Sequence, residues 1–566
     1  MIRILAGNIT SPIGLTTAEA YAAVRRGESA LKIVDGCLGV PGKACVGMFG
    51  DSLRKELRLA GVSWFESLVI HSVREALSRT EVDPVSPRSI LILGSATAAM
   101  AELSEVPEKD GCYLAPGLAA QRVADYLGFS REPLLVSNAC ISGATAQMLA
   151  ARLLSAGLYD HAVVCGADVL SAFVLAGFGS FKALSPQECR PFDIDRLGLN
   201  IGEGAATLVL SREEEAAADA WYLADGCLDN DAYHVSAPIP SGDGLCRCIR
   251  KVLSPALKDS LACVTAHGTA TMFNDQMESK AIEQGGLGDI PTTAYKAYFG
   301  HTFGASSILE PLITMCSLDE GKVLPLRGFE EIGVSGKITV CTRGESTGRR
   351  AFIKTQSAFG GCNGALVYSK HPAAVPAPAP AQYAVVKSLR ITPDSVLLDG
   401  APVPHESTGA ALLTEIFKTC LADGSRFFKM DLFSRLAYVG AGLLAKDTLS
   451  DCEPDDIALY FFTLNGSVLA DRKHLSTFSD PGAFYPSPAV FINTLPNVVL
   501  GEIAVRHTVK GETTLVMLPR RDDGRMEEIV RVTLAAARPA ALLYGWVDCE
   551  GEDAFIADLK LLKIKA

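Results

Sequence analysis

Apolar and polar positions follow two rhythms along this chain. "SWFESLVIHSVREALSRT", residues 63–80, spaces its apolar residues three and four apart, as one face of a helix requires. "SILILGSA", 89–96, is instead a short unbroken apolar run, the pattern of a buried strand. The two patterns then alternate. "AAQRVADYLGF" predicts a helix and "EPLLVSNA" a strand; "GATAQMLAARLLSAG" predicts a helix, followed by the strands "HAVVCGAD" and "GAATLVLSR". "LACVTAHGTA", "DQMESKAIEQGG" and "AFIKTQSAFGGCNGALVYSK" repeat the theme. Such alternation predicts an α/β chain of packed sheets, with helices as outer or central layers.

The rhythm breaks at "KHPAAVPAPAPAQ", 370–382, where alternating alanine and proline predict a stiff, extended linker. We take the linker as 370–384, with a C-terminal region from 385 to 566. The two sides echo each other. Residues 64–100 and 430–469 both run from an amphipathic helix through an acidic, proline-bearing turn into an apolar strand and a serine-containing loop. "PLLVSNACISGATAQMLA" aligns with "PAVFINTLPNVVLGEIAV", and "HAVVCGADVL" with "AALLYGWVDC". The C-terminal region therefore reads as a partial copy of the first part of the chain, with "IALYFFTL", "PAVFIN" and "TTLVMLP" as strands. In this alignment Leu495 occupies the place of Cys140, so the copy carries no thiol there.

Composition narrows the field. The chain has 566 residues, enough for about three or four domains of ~100–200 residues each. A formal charge of -12, without a lysine/arginine run, argues against a nucleic-acid partner. "MIRILAGNITSPIG" reads as a strand and a turn, not a secretory leader, and no apolar run reaches the ~20 residues of a membrane span. Sixteen cysteines are scattered without a CxxC pair, which predicts free thiols in a reducing cytoplasm and no metal site.

The candidate chemistry sits at turns. Cys140 lies where an apolar strand meets a small-residue helix, and unpaired amides at such a helix start favour a thiolate. Taken alone, a packed core thiol fits equally well. Among only nine histidines, His267 in "TAHGTAT" and His301 in "KAYFGHTFGAS" each end an apolar run and open a glycine-bearing turn. Lys296 precedes His301 by five residues, Glu310 follows it by nine, and "SAFGGCNG" (357–364) forms a flexible loop. One thiol, two turn-borne imidazoles and a glycine loop suit covalent acyl transfer.

At these residues the sequence resembles the elongating β-ketoacyl-acyl carrier protein synthases, members of the thiolase-like superfamily. "NACISGA", "FGSFKALS", "RPFDIDRLGLNIGEGAA", "DAYHVSAP", "HGTATMFND", "KAYFGHTFGAS" and "AFGGCNGA" occur in family order across nearly all of residues 1–370. The resemblance implies a duplicated, five-layered thiolase-like fold with halves at 1–210 and 211–369, followed by a degenerate thiolase-like half-domain at 385–566. It implies that Cys140 carries the acyl group and that His267 and His301 bind the malonyl thioester carbonyl and promote decarboxylation. The amides of Cys140 and Phe359 would form the oxyanion hole, with Phe359 also gating the acyl pocket. Thr269 and Thr271 would bind the phosphopantetheine arm of acyl carrier protein, the arm being carried by the substrate rather than by a resident cofactor. Lys296 and Glu310 would order His301 and nearby water. Expected partners are acyl carrier protein and, through "HAVVCGAD", a second synthase or chain-length factor in a homodimer or heterodimer.

Other residues receive blander readings. His234, Asp231, Asp275 and Glu278 read as structural, His474 and His507 as surface or packing residues, and Met272-Phe273 as lining the cleft or packing beside it. Trimmed loops, and Ala297-Tyr298-Phe299 before His301, depart from the family pattern and make the pocket rim unusual. A narrower likeness to synthases of aryl-polyene or flexirubin-type pathways is present in the layout. Two alternatives remain at this point: a non-decarboxylative thiolase using Cys362 as second cysteine, and an inactive chain-length-measuring partner.

Overall fold

The computed structural model describes residues 1–102, 115–371, 382–421, 426–480, 482 and 484–565. The central residues 372–381 of the expected linker lie outside them. Among the described residues three sheets of one design share a core of five strands each. The first contains β1 (Ile2–Thr10), β2 (Ser89–Gly94), β3 (Leu134–Val136), β4 (His161–Asp168) and β5 (Gly204–Arg212). Its order is β3-β2-β4-β5-β1: β2 is parallel to β3 and β4, and β5 is antiparallel to β4 and β1. β5 runs to Arg212, past the boundary expected at 210.

The second sheet contains β6 (Tyr222–Asn230), β7 (Leu261–Thr265), β8 (Pro291–Thr293), β9 (Ala351–Ala358) and β10 (Cys362–Ser369). Its order, β8-β7-β9-β10-β6, has the same parallel and antiparallel pairings. The third contains β11 (Tyr383–Thr392), β12 (Ile457–Thr463), β13 (Thr513–Met517), β14 (Ala541–Gly551) and β15 (Ala554–Ile564), in the order β13-β12-β14-β15-β11 with those pairings again.

Helices complete the layers. α1 (Trp64–Leu77) begins at a Ser63/Glu66 capping box and packs outside the first sheet with α2 (Pro116–Leu127). α3 (Ser142–Ser155), which precedes α4 (Ala172–Ser180), lies between the first two sheets. Outside the second sheet lie α5 (Asp243–Val252) and α6 (Met272–Gln284), while α7 (Ser306–Asp319) shares the central layer with α3. The first unit is thus helix, sheet, helix pair, sheet, helix: five layers.

Small residues make that central layer possible. A Cβ on Gly143 of α3 would come within 2.3 Å of the Gly304 carbonyl at the start of α7, and one on Gly304 within 2.4 Å of the Gly94 carbonyl. The small-residue stretch after Cys140 is therefore a consequence of burial, with only hydrogens fitting at the crossing.

In the third unit α8 (Leu432–Ala445), α9 (Val498–His507) and α10 (Asp523–Ala537) take the places of α1, α2 and α3. Among the described residues no second sheet covers α10. Its buried positions are confined to Met526, Ile529, Val530, Val532, Thr533 and Leu534, with the charged residues on the remaining face, whereas α3 is buried nearly all round.

The third sheet is continuous with the first. β13 pairs antiparallel with β3, placing Val516 opposite Val136 and Met517 opposite Leu135. This corrects two expectations. "HAVVCGAD" is β4, an interior strand held by β2 and β5, and has no free edge for a second subunit. "PAVFIN" is helical, comprising Pro488–Phe491 and the start of a single turn at Ile492–Thr494. Leu495 leads into α9 and so corresponds to nothing near Cys140; the counterpart of the cysteine turn is the segment 518–522 between β13 and α10. The apolar run was misread because a short buried helix and a short buried strand look alike in periodicity.

Among the described residues no single helix is long and apolar enough to cross a membrane.

Candidate active site

The duplicated design builds the site. In the first half the chain leaves β3 and enters α3 through one tight turn, Ala139–Ile141; in the second it leaves β8 and enters α7 through the matching turn, Phe303–Ala305. Each turn opens on a residue in the left-handed region, Ala139 at φ 48° and Phe303 at φ 44°. Such strain in a non-glycine residue persists only where the surroundings hold it. Here Ser142 Oγ accepts from the Asn138 amide at 2.8 Å and donates to the Ala139 carbonyl at 2.6 Å. Cys140 sits in the first turn, and His301 just ahead of the second.

His267 arrives by a third route, the crossover after β7. Glu278 of α6 accepts from the His267 amide at 2.7 Å, the Gly268 amide at 2.8 Å and Thr355 Oγ1 at 2.7 Å. Asp275 accepts from the Ala270 and Phe192 amides at 3.1 and 2.7 Å. These carboxylates are structural, as the sequence suggests, but their task is specific: they set the turn that carries His267.

Cys140 Sγ and one ring nitrogen from each of His267 and His301 lie within 4.8 Å of one another. The imidazoles are 5.1 Å apart, at 84°. His301 Nδ1 accepts from the Phe303 amide at 3.3 Å, which places the ring hydrogen on Nε2. That nitrogen is buried without a partner, as is His267 Nδ1. Burial first, and Lys296 second, push both histidines well below their usual value. Both rings are therefore neutral near pH 7.

The expectation of a thiolate at Cys140 is corrected. Burial pushes the thiol up to about 12, against the smaller lowering influence of Lys296. Metal ligation uses the thiolate, so this trio, the one His/Cys/Asp/Glu group with ligand spacing among the described residues, is poorly suited to a cation.

Lys296 and Glu310 do meet, at 2.7 Å, but Glu310 engages lysines rather than His301. Its second oxygen takes Lys354 at 2.6 Å, and Lys354 also donates to the Ala266 carbonyl at 3.0 Å, next to His267. Burial lowers Lys354 to about 8. Sequence reading missed Lys354, which sits inside an apolar strand with no motif around it. It also missed Asp168, whose carboxylate accepts from the Ala96, Thr97 and Gly304 amides and from Ser95 Oγ, tying one crossover to the turn of α7.

Thr269 and Thr271 hydroxyls lie 2.9 Å apart. Met272 and Phe273 beside them are not packed inside: they are 56% and 79% exposed. Phe359 stacks on Phe178 at 5.9 Å and adjoins Phe181 at 5.7 Å. Cys362 faces the C-terminal unit, with Thr513 Oγ1 at 3.4 Å, and lies outside the trio. His234 accepts from the Ser236 amide at 3.1 Å, and His474 is buried with Nε2 3.0 Å from the Phe173 carbonyl, so both serve structure.

Comparison with known proteins agrees with this geometry. The profile "Beta-ketoacyl synthase, N-terminal domain" matches residues 53–216, and "Beta-ketoacyl synthase, C-terminal domain" matches 222–330. The chain is 31% identical over 264 residues to nodulation protein E of Rhizobium leguminosarum bv. trifolii, covering 45% of this chain and 65% of that protein. It is 30% identical over 300 residues to 3-oxoacyl-[acyl-carrier-protein] synthase 2 of Vibrio cholerae, covering 48% and 72%. The first curated relatives are thus spanned over about half to two-thirds of their own length, 65% and 50% for the leading two. A solved structure titled "PfaC Keto synthase-Chain length factor" shares the fold over 100% of this chain and 78% of its own, with TM-score 0.75 and 14% identity. Since both profiles fall on the two halves that supply Cys140, His267 and His301, the chain belongs to the β-ketoacyl synthase family.

Proposed function

We propose that the protein condenses an acyl group held on Cys140 with malonyl-acyl carrier protein, losing carbon dioxide and forming β-ketoacyl-acyl carrier protein. The observation that carries this reading is the buried trio, one thiol and two neutral imidazoles within 4.8 Å, with unpartnered ring nitrogens. In the first step the Cys140 sulfur bonds the acyl carbon, the carrier's carbon–sulfur bond breaks, and the departing carrier thiol takes the cysteine's proton. In the second, the malonyl carbon–carbon bond breaks, carbon dioxide leaves, and its electron pair passes into an enolate. The His301 Nε2–H and His267 donate to the enolate oxygen. The enolate carbon then bonds the acyl carbon, and the Cys140 thiolate leaves and is reprotonated. The steps balance with two carrier-borne substrates and one proton, and draw on no resident metal or cofactor.

Phe359 serves as gate and, with Cys140, as an oxyanion donor, each such donor contributing about 3 kcal/mol in enzymes of this kind. Thr269 and Thr271 receive the phosphopantetheine arm, and Lys296 and Glu310 support the histidine pair. Acyl carrier protein is the partner, and the pathway is fatty-acid or polyketide elongation, with aryl-polyene synthesis as the narrower possibility. The third unit takes the place of a partner subunit, which favours internal pairing over a homodimer or a heterodimer with a chain-length factor. Fifteen free cysteines among the described residues favour a reducing cytoplasm. The position of Cys362 outside the trio weighs against a thiolase.

The test is intact mass after incubation with a panel of acyl-carrier proteins. One acyl group should load per chain, and Cys140→Ala should abolish loading while still releasing carbon dioxide from malonyl-carrier protein. Acylation persisting in Cys140→Ala would overturn the assignment.

A further inference from the structure

Among the described residues the third unit contains no trio, yet it reaches the first unit's site. Asn497 stands at the start of α9, a position where an asparagine side chain normally caps its own helix. It makes no such cap. Its Nδ2 instead donates to the Phe359 carbonyl at 2.9 Å and lies 3.7 Å from Cys362 Sγ. One turn on, a Cβ at Gly501 would come within 2.6 Å of the Gly360 carbonyl, so the backbone of α9 lies directly on the loop.

That loop needs outside support. Gly360 and Gly361 both have positive φ, 87° and 75°, where most side chains would be strained and the backbone is otherwise free. Its anchors within the first unit are the Gly360 amide to the Val235 carbonyl at 2.7 Å, Asn230 Nδ2 to the Gly360 carbonyl at 2.9 Å, and the Asp231 amide and Asn363 Nδ2 to the Gly361 carbonyl at 2.7 and 3.3 Å; the Phe359 carbonyl is left to the third unit. Asn230 Nδ2 in turn lies 3.1 Å from Thr513 Oγ1 of the third unit. The aromatic cluster around Phe359 is backed from the same side by Phe491, 5.3 Å from Phe178 and 6.2 Å from Phe181. Beside the nucleophile, Asn138 Nδ2 donates to the Thr513 carbonyl at 2.8 Å, and the Leu515 amide donates to Asn138 Oδ1 at 3.0 Å.

We propose that Asn497 is a positioning residue for acyl transfer, through which the C-terminal half-domain fixes the Phe359–Gly361 loop and thereby the gate and second oxyanion donor of Cys140. The inference rests on the roles proposed above for Cys140 and Phe359. With its carbonyl anchored, the peptide plane after Phe359 is held, which limits where the Phe359 amide can sit while leaving the ring free to turn; without the anchor, only the first unit's contacts hold a two-glycine loop.

The full-length protein tests this in two half-reactions. Acylation of Cys140 is followed by intact mass with straight-chain C2–C16 acyl-carrier proteins, using the one that loads wild type fastest. Decarboxylation is followed by carbon dioxide release from malonyl-carrier protein, which relies on the histidines. Asn497→Ala should slow acylation at least tenfold and leave decarboxylation within twofold of wild type. Asn497→Asp, which keeps the shape but replaces the donor, should do the same. Acylation within twofold of wild type in both variants overturns the proposal. So does a parallel fall in both half-reactions with a lowered Tm, or loss of fold in both variants, since either marks a purely structural residue. Failure of wild type to load any acyl group at Cys140 would strike the proposed function instead, and is separately visible.

Discussion

Replacing Arg152 should detach the third unit from the first in a way that depends on pH. Arg152 on α3 is 8% exposed and Glu512, just before β13, is 7% exposed. The guanidinium bonds both carboxylate oxygens, at 2.8 and 2.6 Å, and Tyr460 Oη of β12 at 2.7 Å; Tyr460 also bonds Glu512. Breaking a buried pair by removing one partner costs about 3–5 kcal/mol, because the other charge stays buried without compensation. For a cooperative unit the size of the C-terminal one, about 2–4 °C of Tm is lost per kcal/mol, so Arg152→Met should lower its transition by roughly 6–20 °C.

The sign with pH follows from Glu512. Burial alone would raise its carboxyl, but Arg152, helped by hydrogen bonds from Tyr460 and Thr514, outweighs burial and holds it below the usual range. Wild type therefore has this stabilisation above the carboxyl's unfolded value and loses it as pH falls through the lower folded one. In Arg152→Met only the hydrogen bonds from Tyr460 and Thr514 still oppose burial, the carboxyl rises, and protonation relieves the penalty. The deficit should be largest near pH 8 and shrink toward pH 5. Differential scanning calorimetry at both pH values reads this, with the triple variant Arg152→Met, Glu512→Leu, Tyr460→Phe as control, expected to recover most of the loss. A loss below about 1 kcal/mol, or an equal loss in the triple variant, would refute the reasoning.

Two further outcomes follow. Alkylation of Cys140 by iodoacetamide, read by peptide mass spectrometry, should rise about tenfold per pH unit from 7 to 9 without levelling, because burial pushes the thiol up to about 12; a plateau below pH 8 would contradict that environment. A chain cut to residues 1–371 loses β13 and exposes the edge of β3, and should associate or aggregate in sedimentation velocity where the full chain does not; a stable monomer would show that the β3 edge needs no cover.

The trio was legible because each member stands at the end of an apolar run with glycine or small residues beside it, which is how a thiol and two imidazoles announce a turn. The first-unit elements were legible for a related reason: their helices and strands differ plainly in period. What escaped detection was long-range. Lys354 and Asp168 sit in or at the end of apolar strands, and only the sheet brings them to Glu310 and Gly304. Asn497 is separated from Phe359 by 138 positions, and nothing near it in sequence refers to the site. The register of the third unit was misplaced at Leu495 because "PAVFIN" offers a buried apolar run of ambiguous period. The tethered strand after it, "TTLVMLP", carried the true correspondence. The thiolate expectation failed because a helix start was visible in the sequence while the depth of burial was not.

The pairing of β3 with β13 has a consequence for concentration. A sheet completed by a separate subunit comes apart on dilution, and any residue that subunit lends to a site is withdrawn with it. Here His371 and Gln382 are covalently joined through the intervening segment, so the unit that completes the sheet cannot be carried away by dilution. Association at that edge is a property of each molecule, indifferent to how much protein a cell or a cuvette contains. Specific activity should accordingly stay constant over a serial dilution, and the ratio of the two parts is fixed at synthesis by a single reading frame.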